Sequence, residues 1–120
     1  MNKVTLHLAG EIRFGPRFFE ITINEIKLED RSFGELYIES SDMRYVALQE
    51  WGETQYSKGP MTRVLIVEAS TGKLCETTDF KRGFVEEFKF SNGKFEYMRH
   101  DYGLKKKKKE VLIVNNLKFC

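Results

Sequence analysis

Long apolar runs, cysteines, histidines and prolines are all scarce in this 120-residue chain, and each shortage removes a class of protein. The longest aliphatic runs, Val64-Leu65-Ile66-Val67 and Val111-Leu112-Ile113-Val114, are four residues each. A spanning helix needs about 20. The opening Met1-Asn2-Lys3-Val4-Thr5-Leu6-His7-Leu8 lacks the apolar stretch of about 7–15 residues that a secretory signal requires. Two prolines and 13% aromatic residues argue against disorder. The expectation is one soluble, cytoplasmic domain over residues 1–120, with no membrane partner.

Two cysteines, Cys75 and Cys120, make neither a disulfide framework nor a metal site, and free thiols fit a reducing compartment. Cys75 reads as a small buried hydrophobe in a strand, and Cys120, the last residue, as mobile. Two histidines, His7 and His100, are too few to build a zinc site with distant cysteines. Phosphate cradles, dinucleotide fingerprints and the Gly-x-Ser-x-Gly elbow are missing. His100-Asp101 offers an acid–base pair in principle, but neighbours in a strand point to opposite faces. The chain therefore reads as no enzyme and as having no cofactor.

What the chain does have is charge and alternation. The net charge of +2 hides an asymmetry, because five of the twenty basic residues form one block, Lys105, Lys106, Lys107, Lys108 and Lys109. Without it, 15 basic residues face 18 acidic ones, and the body is mildly acidic. The block reads as a solvated loop or as a nucleic-acid or polyanion patch.

Period-2 alternation dominates. Val4, Leu6 and Leu8 alternate with Thr5 and His7, and Ile12 and Phe14 extend that strand toward Gly15-Pro16. Phe19, Ile21 and Ile23 alternate again, and the apolar set resumes one residue out of phase at Ile26 and Leu28. That slip predicts a bulge or tight turn at Asn24-Glu25. A helix carrying Phe19, Ile23 and Ile26 on one stripe competes, against the β-branched composition. Ala69-Ser70-Thr71-Gly72-Lys73 has the composition of a type I turn closed by a left-handed glycine. Asn92-Gly93 predicts a type I′ hairpin, which sets Phe90 opposite Phe95, Lys89 opposite Glu96, Phe88 opposite Tyr97 and Glu86 opposite Arg99. The fold class is all-β: an antiparallel meander of about 8–10 strands, closed as a small barrel or folded as a two-sheet sandwich.

An offset of 51 residues lays Asn92-Gly93 over Ser41-Asp42, Tyr102-Gly103 over Trp51-Gly52, and Asp101 over Glu50. Downstream, Val64–Val67 matches Val111–Val114 at an offset of 47. This predicts a two-fold internal repeat: N-terminal strands over 1–33, one unit over 35–79 and another over 84–117. Each unit resembles a β-propeller blade in strand lengths, in the Thr71-Gly72-Lys73 turn and in its aromatic-Gly strand end. The resemblance covers about residues 35–117 in pattern only. A propeller needs about four blades or more, so two units imply paired antiparallel meanders instead.

If the repeat holds, two loops leave equivalent strand ends on one rim. Glu50, Trp51, Glu53 and Tyr56 would stand there beside Tyr102 and Lys105 to Lys109. Aromatics among mixed charges make an interface, unless Trp51 and Tyr102 plug the core ends with polar tips at water. The leading functional expectation is a small non-enzymatic module of inhibitor or immunity type that binds another protein. A small-ligand-binding β-barrel is the alternative, and nucleic-acid or polyanion binding through the lysines is a third.

Overall fold

Antiparallel strands account for almost all regular structure in residues 2–11, 16–52, 60–101 and 104–120, which the computed structural model describes. Eight strands form the larger sheet: β1 (Val4–Glu11), β2 (Arg17–Ile23), β3 (Ile26–Lys27), β4 (Ser32–Glu39), β5 (Tyr45–Trp51), β6 (Met61–Glu68), β7 (Leu74–Glu76) and β8 (Lys81–Arg82). Their order is β1-β2-β4-β5-β6-β7, with β3 on β2 and β8 on β6. The smaller sheet runs β11-β10-β9, from β9 (Phe84–Ser91), β10 (Lys94–Asp101) and β11 (Lys106–Ile113). Both strand orders are open-ended, so the expected all-β meander is a two-sheet sandwich and not a barrel.

The central pair β5–β6 explains the aliphatic run at Val64. Tyr45, Ala47, Val64 and Ile66, with Cys75 of β7, face the small sheet, where they pack with Val85, Phe95 and Tyr97. Val46, Leu48, Leu65 and Val67 face the other way, against Ile21, Ile23, Leu28 and Phe33. A strand buried on both faces must be apolar at consecutive positions. The second core exists because β2 meets β4 only at Phe19–Phe33. Beyond that bridge the sheet bends, and β1–β3 fold over its outer face. Residues 12–15, where the first strand was expected to continue, lie outside the described residues.

The turns follow local chemistry. Asn24 and Glu25 both take positive φ (49° and 71°) between the paired Ile23 and Ile26. This is the tight turn and excludes the competing helix. Gly72, at φ 76°, closes the β6–β7 turn with its N–H on the Glu68 carbonyl. Asn92 and Gly93 (φ 52° and 74°) put Phe90 opposite Phe95 and Lys89 opposite Glu96. The register then slips. Glu87 adopts φ 56° and forms a bulge. Glu86 therefore pairs with Met98, and Val85, not Glu86, pairs with Arg99. The Phe88 and Tyr97 rings still meet edge-on at 6.5 Å.

Both segments of the expected repeat run as meanders, β4-β5-β6 and β9-β10-β11, but they share little more. The first turn is a longer loop closed by Ser40 and Tyr45, with Met43 at φ 63°. Val64–Val67 is interior, whereas Val111 and Ile113 are exposed on an edge strand. Cys120 is not mobile: it exchanges both backbone hydrogen bonds with Leu74 of β7. That pairing points Cys120 and the neighbouring Cys75 to opposite faces, which keeps two free thiols apart.

Candidate functional site

The residues proposed for one rim fall into different surroundings. Glu50 is 3% exposed and belongs to an ion network on the outer face of the large sheet, the face of Val46 and Leu48. Arg63, directly across from Glu50 in the β5–β6 ladder, donates through Nε to its Oε1 at 2.8 Å. Arg31, just before β4, donates through Nη1 to Oε2 at 2.8 Å. Both arginines also reach Glu76 Oε2 on β7, at 3.0 and 2.9 Å. The Arg31 hydrogen bond, and then the Arg63 charge, hold the Glu76 carboxyl below its usual range. The Phe80 ring caps Arg63 at 3.9 Å. Two cations and two anions close on one another over an open cleft of about 440 Å³. The arrangement clamps four successive segments.

Trp51 is equally buried, at 3% exposed, and stands edge-on to Phe84 at 5.3 Å. It closes the core end, and its ring presents little surface to a partner. Glu53, Tyr56 and Tyr102 lie outside the described residues.

The lysine block is where the structure departs most from a loop. Lys106 to Lys109 are the first half of β11, paired with Asp101, His100, Arg99 and Met98 of β10; only Lys105, at φ 53°, is in the turn. Residues opposite one another in an antiparallel pair share a face. Lys106 and Lys108 therefore lie on the inner face with Arg99, and Lys107 and Lys109 on the outer face with His100. All five lysines are exposed. One is partly neutralised, Lys109 Nζ standing 3.5 Å from Glu96.

Further cations converge on this end, which sequence spacing could not show. Arg82 of β8 approaches Asp101, Nε to Oδ1 at 3.9 Å, and Lys81 precedes it, both residues exposed. Arg99 lies nine-tenths buried, its Nη1 donating long bonds of 3.4 Å to the Thr62 and Lys81 carbonyls. Among the described residues its Nε and Nη2 find no acceptor. Beside it the Tyr97 hydroxyl donates to Glu110 at 2.8 Å. Burial, then that carboxylate, push the Tyr97 pKa up to about 12.

His100 Nδ1 stands 3.2 Å from Glu86 Oε1 across the outer face of the small sheet. Among the described residues no cluster of His, Cys, Asp and Glu could hold a metal ion, and no helix is long and apolar enough to cross a membrane. No protein-family model, no curated protein and no solved structure matches this chain.

Proposed function

We propose that the protein is a non-enzymatic binding module whose partner is an acidic, extended segment of another protein, received along the free edge of β11. The observation that carries this reading is the run Lys105–Lys109 along the edge strand β11, with exposed Lys81 and Arg82 of β8 beside the Asp101 end of its partner strand β10. An incoming strand gains main-chain hydrogen bonds from an edge, while its side chains are read alternately on the two faces. Here both faces carry lysines, so carboxylates at successive positions each find a cation. The same lysines repel basic strands and leave neutral ones with desolvated ammonium groups, so charge selects the occupant. Nucleic acid fits less well, because Glu86, Glu96 and Asp101 interrupt the basic surface and the rest of the chain is acidic.

The test is fluorescence anisotropy with two labelled probes, a glutamate-rich peptide and a single-stranded oligonucleotide, across a salt series. The peptide should bind with salt-sensitive affinity, and replacing Lys105–Lys109 by serine should abolish it. Preference for the oligonucleotide, with the steep salt slope of counterion release, would transfer the site to nucleic acid. Binding of neither probe would remove the reading.

A further inference from the structure

A sandwich of two open sheets has four edges, and three of them are occupied or guarded. β7 is covered by the tail at Leu74–Cys120. β9 lies against the large sheet, where Gln49 Nε2 donates to the Val85 carbonyl at 2.8 Å. β11 carries its lysines. β1 has no such cover among the described residues: it ends the large sheet, is eight residues long, and contains neither lysine, arginine nor proline. Leu8 on this strand is 61% exposed.

The backbone phase of β1 shows what the edge offers. Lys3 accepts from the Asn24 N–H at 2.9 Å and donates its own N–H to Asn24 Oδ1 at 2.8 Å, so its polar groups turn toward β2. Alternation along an antiparallel strand turns those of Thr5 and His7 the same way. Val4, Leu6 and Leu8 therefore direct N–H and C=O to the open side. After Leu8 the ladder slips at a bulge, since Leu8 pairs with Phe19 and Gly10 with Phe18. The usable edge is Val4 to Leu8, an uncharged segment.

We infer that this edge pairs with β1 of a second copy of the chain, antiparallel and centred on Leu6. In that register Leu6 meets Leu6, and Val4 meets Leu8 of the other copy, each pair exchanging two backbone hydrogen bonds. Thr5 meets His7 on the opposite face. Every apolar residue faces an apolar one, the exposed Leu8 is covered, and no like charges are opposed. The two-fold pairing uses the same patch twice and closes on itself. The bulge at Ala9 ends the ladder and keeps it from growing into a longer, flatter seam. β11 does not substitute for β1, because antiparallel pairing with itself about its centre sets Lys106, Lys107 and Lys108 opposite Ile113, Leu112 and Val111, and desolvates ammonium groups against apolar side chains.

Sedimentation velocity on the full chain, from low to high micromolar concentration, tests this. The expected result is a monomer–dimer equilibrium. Leu8→Lys places a charge at the seam, and Leu8→Pro removes an outward N–H while sparing the bonds to β2. Each should weaken the dimer by about tenfold or more, with far-UV circular dichroism unchanged. A Lys94→Gln control, exposed in the small sheet, should not. A monomer at every concentration overturns the inference, as does a dimer that both Leu8 variants leave intact. If Leu8→Pro unfolds the chain, Leu8→Lys alone decides.

Discussion

Replacing Glu50 by glutamine tests the ion network in a way that separates burial from charge counting. The two glutamates bond to the same two arginines at nearly equal distances, 2.8 Å for Glu50 and 2.9–3.0 Å for Glu76. They differ in setting: the Glu50 side chain is 3% exposed and that of Glu76 is 49% exposed. Removing one partner of a buried pair leaves an uncompensated charge and costs about 3–5 kcal/mol. Glu76 still holds one nitrogen of each guanidinium, which puts Glu50→Gln at the low end, about 3 kcal/mol. Glu76→Gln loosens a water-screened pair and should cost about 1 kcal/mol or less. For a domain with about 5–15 kcal/mol of stability, the first change is conspicuous and the second is not. Urea unfolding at neutral pH, with similar slopes for the three proteins, reads both numbers. If the two variants lose equal stability, or if Glu50→Gln stays within about 1 kcal/mol of the parent, burial does not govern this network and the reasoning fails.

Trp51→Ala should destabilise the fold by about 3–5 kcal/mol, the cost of emptying a buried aromatic site; acidic-peptide affinity, measured where the variant stays folded, should be unchanged. Tyr97 has its pKa raised from 10.0 to about 12, first by burial and then by Glu110. A group raised on folding stabilises the protein below its unfolded pKa, and that contribution is lost as pH rises through the folded one. Absorbance at 295 nm should therefore show a late phenolate step near pH 12, absent in Tyr97→Phe, with stability falling above pH 10. Burial likewise pushes the Cys75 thiol up while Cys120 is exposed. Ellman's reagent should label one thiol quickly and the second only in denaturant, and two fast thiols would refute that placement.

How much of this was legible in the residues depends on the range of the signal. Asn92-Gly93 and Gly72 carry their turns in their own chemistry, the turn at Asn24-Glu25 shows in the one-residue slip of the apolar set around it, and each appears where expected. The bulge at Glu87 has no such mark, because a glutamate at positive φ is held there by the sheet around it. The lysine block misleads for a related reason. Lysine is a poor strand former, and only the ladder with β10 makes Lys106–Lys109 a strand. Glu50 and Arg63 are opposite charges that a known β5–β6 register would have paired, but the connection between those strands is too long to set register. Arg31 and Glu76 then join from segments with no sequence relation to either. The basic end is non-local in the same sense: β8 reaches Asp101 only through its pairing with β6.

The two-sided burial of β5 and β6 has a bearing on how the molecule comes apart. Each strand is at once a wall of both apolar cores. Lifting the small sheet uncovers Ala47, Val64 and Ile66, and peeling back β1–β3 uncovers Val46, Leu48 and Leu65 on the same two strands. Either opening strips one side of a ladder whose other side still depends on it, so partial opening forfeits burial with little gain in chain freedom. The edges β1 and β11 can fray while this ladder holds. Amide hydrogens of Val46–Leu48 and Val64–Val67 are thus placed to exchange with solvent only when the whole domain unfolds, in a single cooperative step.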